Sequence, residues 1–275
     1  MENRNALVQT HLLLFLTAVL VLAGCVSPEM KPQTELSNSV ATSVITDDDR
    51  KLFESIKVKA EAGDAEAQWN LGYYYAIGKG VVKNERESEK WYRKSAEQGD
   101  ALAQANLGAI YFDGVGVKKD YYEAFKWFRK AAEQGSDFAQ LYLGGIYYKG
   151  LGATEKDNDQ AAKWLRRAAE QGNAKAQGML GEFYFNGEGV SQNYIEAYKW
   201  FNLSAAHDDR QSDKEISVEG RSSLVQLMTP AQIAEGQRRA AAFIPRKEIL
   251  GSDNYASLEN PFVTGSGFFI TMMVI

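Results

Sequence analysis

Cysteine is nearly absent. Cys25 stands alone in 275 residues, so no intrachain disulfide can form and no cysteine-rich metal site can be built. Histidine is almost as scarce, with His11 and His207 the only two, too few for a histidine-based metal centre or proton relay. No metal, cofactor or catalytic residue is expected. Positive charge is not in excess either. The chain has 31 Lys and Arg against 36 Asp and Glu, a net charge of −5 with both signs interspersed. A nucleic-acid partner would call for a basic face, and none is expected here. Long apolar runs are missing but for one, Leu12 to Gly24, which is 13 residues. That is short of the roughly 20 a membrane-spanning helix needs and suits the core of a signal peptide. At 45% hydrophobic residues the chain can still bury a sizeable core.

What the chain does have is a repeat. Leu71-Gly72, Leu107-Gly108, Leu143-Gly144 and Leu180-Gly181 recur at intervals of 36, 36 and 37 residues, and Trp91, Trp127, Trp164 and Trp200 keep the same rhythm. A period of this size marks stacked helical hairpins, each too small to bury its own apolar face. The expected fold class is all-α, a solenoid of four antiparallel helix hairpins with helical caps. Each copy opens on a helix-start residue (Asp64, Asp100, Ser136, Asn173), and a glycine just before it (Gly63, Gly99, Gly135, Gly172) can end the previous helix. The second helices open at Asn84, Asp120, Asp157 and Asn193. Glu87, Glu123, Gln160 and Glu196 stand three residues on, the spacing of a capping box. Gly78-x-Gly80 and its three counterparts lack a preceding strand and a Gly-Lys-Ser/Thr ending, so they read as helix–helix turns and not as a phosphate loop.

Ala67, Gln68, Leu71, Gly72 and Tyr75 recur unchanged in all four copies and are expected in the core, as are the helix-B tryptophans. This pattern, with Gly-x-Gly, Ala-x-x-Trp and Ala-Ala-Glu-Gln-Gly, resembles the Sel1-like repeat, a relative of the tetratricopeptide repeat. The resemblance covers roughly Asp49 to Pro245. It implies a solenoid for protein–protein contacts, often an adaptor in the bacterial envelope, and it names no partner. It also implies that the first helices line a concave groove. A stripe on those helices changes in every copy: Glu66, Trp69, Asn70 and Tyr73; then Leu102, Ala105, Asn106 and Ala109; then Phe138, Leu141, Tyr142 and Gly145; then Lys175, Gly178, Met179 and Glu182. Offsets of three, four and seven put each set on one side of its helix. Its larger members are therefore the expected partner-binding residues, with Trp69, Tyr73, Phe138 and Tyr142 as aromatic anchors.

The ends complete the organisation. Leu22-Ala23-Gly24-Cys25 resembles the bacterial lipobox, which implies a lipoprotein signal peptide over 1–24, acylation of Cys25 and attachment to the envelope. Val26 after the cysteine favours, by the same resemblance, the outer membrane facing the periplasm. Residues 25–47 read as a tether, 48–63 as a capping helix, 64–99, 100–135, 136–172 and 173–208 as the repeats, and 209–246 as capping helices. Within 247–275, the run Asn260 to Thr271 looks like the first strand of a trypsin-like peptidase domain, but no His, Asp and Ser triad follows it. The expected function is a membrane-anchored, non-enzymatic scaffold. The alternative is the targeting module of a truncated serine protease, inactive as it stands.

Overall fold

The computed structural model describes residues 45–152, 154–207 and 211–246. The signal peptide, Cys25, most of the tether and the peptidase-like tail lie outside them. In chain order the helices are α1 (Asp47–Glu61), α2 (Ala65–Ile77), α3 (Glu85–Glu97), α4 (Ala101–Asp113), α5 (Tyr121–Glu133), α6 (Asp137–Lys149), α7 (Asn158–Glu170), α8 (Ala174–Asn186), α9 (Tyr194–His207), α10 (Gln211–Val225) and α11 (Pro230–Ala241). Among the described residues there is no strand. The pairs α2–α3, α4–α5, α6–α7 and α8–α9 are the four repeats, and each second helix packs against its own first helix and the first helix of the next repeat.

The caps do what the sequence proposes, with one difference. The side chains of Asp64, Asp100, Ser136 and Asn173 accept from the backbone N–H three residues on. Asn84, Asp120 and Asp157 start the second helices in the same way. The expected reciprocal half of the box is not made by Glu87 or Glu123, which turn to Lys90 and Lys126, at 3.4 and 2.8 Å. The N-cap N–H groups are already taken, Asn84 donating to the Tyr75 carbonyl at 2.9 Å and Asp120 to the Tyr111 carbonyl at 2.8 Å, so each glutamate is left to a lysine one turn on. The full box forms at Thr229 and Gln232, before α11.

The two glycines of each turn have separate duties. Gly114 sits at φ +76° and closes α4, its N–H donating to the Ile110 carbonyl. Gly116 serves the neighbouring repeat: a Cβ there would lie 2.7 Å from Glu85 Cβ and 2.9 Å from the Glu85 carbonyl carbon, in the first turn of α3. In the fourth copy a Cβ on Gly189 would lie 2.0 Å from the Asn158 carbonyl oxygen. The second glycine thus lets each turn lie directly on the preceding repeat, a role beyond the hairpin turn read from sequence.

Packing explains the rest of the recurring set. Leu71, Leu107, Leu143 and Leu180 are fully buried. The glycine after each faces a large buried residue of the second helix: Tyr92, Phe128, Leu165 or Phe201. The recurring tyrosines are a correction. Tyr75, Tyr111, Tyr147 and Tyr184 are only partly buried, because their hydroxyls reach the rim, where Arg93 donates to Tyr111 and Arg166 to Tyr184. Trp164 is likewise only partly buried, unlike the other three helix-B tryptophans.

The recurring glutamine stitches one repeat to the next. Gln68 Nε2 donates to the Ala60 carbonyl at 3.1 Å, and Gln68 Oε1 accepts from Gln98 at 2.8 Å. Gln98 also donates to the Gly63 carbonyl. Gln104 with Gln134 and Gln140 with Gln171 repeat the arrangement. Each rung adds a side-chain donor to an Ala carbonyl that already accepts a backbone N–H, as Ala60 does from Gly63 and Ala96 from Gly99, both at 3.1 Å, and ties it to the next repeat. Because Ala60 lies in α1, that helix takes the place of the second helix of a preceding repeat. At the other end α10 stacks on α9 and touches α8, as a fifth first helix would. The last helix does not cover the solenoid's end as expected. Instead α11 lies along α9, with Gly236 against Tyr198 and Arg239 Nη1 2.5 Å from Glu196 Oε1. The chain then runs to Arg246, whose N–H donates to the Glu170 carbonyl of α7 at 2.8 Å.

Candidate partner-binding surface

The first helices present the expected stripe, but the structure buries half of its larger members. Trp69, Asn106, Leu141, Tyr142, Lys175 and Met179 are between 2% and 7% exposed. Trp69 stacks on Tyr73 at 5.8 Å between ring centroids, and Tyr142 stacks on Phe128 at 4.7 Å. Leu141, Tyr142 and Met179 share one core cluster with Ala105 and Ala109. The cause is the alternation of large and small residues along the stripe. Ala105, Ala109, Gly145 and Gly178 leave room that neighbouring side chains fill, as Ser204 and Ser217 do beside Gly178. The aromatic anchors Trp69 and Tyr142 are therefore inter-repeat core.

Lys175 is buried for another reason. It forms an ion pair with Asp213 of α10 at 3.4 Å, both side chains under a tenth exposed. Beside it, the Ser204 and Ser217 hydroxyls meet at 2.8 Å. This polar seam, together with Leu224 clustered with Tyr198 and Phe201 and Gly220 against the Phe201 ring, seats α10 on the fourth repeat.

Glu66, Asn70, Tyr73, Leu102, Phe138 and Glu182 keep surface. Tyr73 and Leu102 lean on the core of the first two repeats and Phe138 on that of the third. Burial, reinforced by the nearby Glu188 carboxylate, raises the Glu182 carboxyl to about 7. Burial also pushes the Tyr148 phenol up, helped by Glu188, to which it is hydrogen-bonded. Among the described residues no group of three or more His, Cys, Asp and Glu gathers to hold a metal ion. No helix among them is long and apolar enough to cross a membrane.

A second surface, which the stripe reading passes over, runs along the turns before the second helices. A cleft of about 720 Å³ is lined by Tyr111, Lys118, Lys119, Tyr121, Tyr122 and their neighbours, and one of about 440 Å³ in the next repeat by Glu155, Asp157 and Asp159 with Lys156. The sequence carries a signal for it. The paired positions read Val82-Lys83, Lys118-Lys119, Glu155-Lys156 and Ser191-Gln192, a change of charge at fixed geometry.

The Sel1 repeat profile matches residues 65–100, 101–136, 137–173 and 174–209. Among solved structures, the protective antigen c5321 of uropathogenic Escherichia coli strains, described as displaying an SLR fold, is similar at 40% identity and a TM-score of 0.65. The match covers 72% of this chain and 41% of that one, so this chain spans about two fifths of that structure's length. A Sel1 repeat protein from Oxalobacter formigenes is similar at 31% identity and a TM-score of 0.57, over 70% of this chain and 76% of that one. Curated proteins give no match. Four profile matches in unbroken succession, on helices whose caps, glycines and glutamine rungs recur in register, place the chain in the Sel1 repeat family.

Proposed function

We propose that this protein is a lipid-anchored, non-enzymatic adaptor of the bacterial envelope that holds a partner protein against its first helices. The observation that carries the reading is the line of Tyr73, Leu102 and Phe138. These are partly exposed apolar side chains on three successive first helices, set among positions that differ from repeat to repeat. Side chains of this kind, half seated in a rigid surface, serve as anchors because little conformational freedom remains to be lost on binding. Glu66, Asn70 and Glu182 flank them and supply polar contacts. Repeat solenoids generally bind proteins through such extended faces.

The anchor rests on Leu22-Ala23-Gly24-Cys25, with Cys25 as the acylated residue. The similar Escherichia coli protein is described as a protective antigen, which supports an envelope location.

The test replaces Tyr73, Leu102 and Phe138 together with Ala and repeats a pulldown from envelope extract. Partner recovery is expected to fall while helicity by circular dichroism is kept. Unchanged recovery removes this face from the account. Trp69 and Tyr142 are unsuitable for the purpose, since truncating a buried aromatic costs about 3–5 kcal/mol of stability and confounds the result. Separately, Cys25→Ser is expected to move the protein from the membrane fraction to the soluble one.

A further inference from the structure

The turn edge carries chemistry that the first-helix face does not. In the cleft before α5, Lys118 and Lys119 are exposed. No ion pair within 4 Å joins either of them to another described residue. Lys119 Nζ stands 5.6 Å from the Tyr121 ring centroid, and Tyr122 is 51% exposed beside it.

The acids nearby are already engaged. Asp120 caps α5 through the N–H groups of Tyr122 and Glu123. Glu123 holds Lys126 at 2.8 Å, and Glu89 is held by Arg93 and Tyr111. Asp113 is left to face Lys119 at longer range, and burial raises its carboxyl above the usual range.

The other repeats show that the fold does not impose this. At the equivalent place in the first repeat Lys83 is neutralised by Glu85 at 3.1 Å and Val82 replaces the second lysine. In the third repeat the same cleft keeps one lysine, Lys156, but sets it among Glu155, Asp157 and Asp159, and in the fourth the pair is Ser191 and Gln192. One repeat in four thus offers two cations without a carboxylate at ion-pair distance, over tyrosine walls, in a protein whose net charge is −5.

We propose that this cleft seats an extended acidic segment of a partner protein. Lys118 and Lys119 take its carboxylates, and Tyr122 with Val117 covers an apolar side chain between them. An exposed cation pair contributes to selectivity for such a segment and to its capture rate. The acidic lining of the next cleft repels the same charge and so fixes where the acidic run must end. The inference rests on the reading of the solenoid as a protein-binding scaffold.

The test uses the full chain in detergent with a fluorescein-labelled peptide of alternating aspartate and leucine. Anisotropy is expected to show binding that weakens with salt and that falls about tenfold or more in K118E/K119E. Zero-length carbodiimide coupling of peptide carboxylates to lysines, read by mass spectrometry, is expected to mark Lys118 and Lys119. Unchanged affinity in the double variant, or coupling scattered over other lysines, overturns the proposal. Equal competition by inorganic phosphate, or by phosphatidylglycerol vesicles, overturns the assignment to a protein segment. The two readings fail separately. If K118E/K119E loses the peptide but the Tyr73, Leu102 and Phe138 variant still recovers its partner, the first-helix face fails and the cleft stands. The converse result removes the cleft alone.

Discussion

Gln104 shows how much one side chain does here. Its amide joins the end of one repeat to the start of the next, donating to the Ala96 carbonyl at 3.1 Å and accepting from Gln134 at 2.8 Å. Replacing it with Leu removes both bonds, although the Ala96 carbonyl keeps the Gly99 N–H and the Gln134 amide keeps the Gly99 carbonyl, so Gln104→Leu is expected to lower stability by about 2 kcal/mol in urea unfolding. Gln177→Leu should cost less, about 1 kcal/mol. Its Oε1 has no partner, because His207 stands where Gln98, Gln134 and Gln171 stand in the earlier copies. Glu182 behaves differently, through protonation. Its folded carboxyl titrates at about 7, above the ordinary carboxylate range, so the folded state holds this proton more tightly than the unfolded chain. The stability it contributes is present below the ordinary range and is lost as pH rises through about 7. Glu182→Gln, which mimics the protonated form, is expected to match the parent near pH 4.5 and to exceed it at pH 8 by roughly 2 kcal/mol in denaturant titrations. A constant difference across that range would mean that Glu182 is not the group responsible.

At the scale of the element, the helices follow from local rules and their docking from contacts far apart in sequence. Start and stop signals placed α2 through α9 closely, since Asp or Asn before a helix and Gly after it act within a few residues. The two helices after the repeats were legible only as a capping region over 209–246, within which Gln211–Val225 and Pro230–Ala241 fall. Their places were not. The seat of α10 combines Leu224, packed with Tyr198 and Phe201, with Lys175 meeting Asp213, a pair separated by a whole hairpin. Asp213→Ala strands the lysine charge in a buried site, which costs about 3–5 kcal/mol. The expected outcome is early exposure of α10, seen as faster hydrogen exchange over residues 211–225 than over α2 to α7. Protection that is unchanged there would show the pair to be incidental to docking.

Across the whole molecule, each repeat touches only its neighbours and stability accumulates as a sum of local interfaces. That is why the recurring residues could be read from one sequence. The same contact is made at Leu71, Leu107, Leu143 and Leu180, so the repetition itself separates scaffold from surface. The candidate site was less legible for the same reason. A position that varies between copies can vary because it meets a partner or because its neighbour in the stack varies with it. Trp69 and Tyr142 vary for the second reason and are core; Tyr73, Leu102 and Phe138 keep surface. The tyrosines at Tyr111 and Tyr184 recur, yet sit at the rim to meet an arginine of the preceding repeat. By itself the sequence determined the helix boundaries, the four-fold period and the all-α solenoid, because caps, glycines and hydrophobic spacing act over a few residues or repeat in register. Only the tertiary structure decided which members of the variable stripe are covered, which lysines are left without a carboxylate, and where α10 and α11 lie. Each of those depends on the size and charge of a side chain in another repeat, at a distance along the chain that periodicity does not encode.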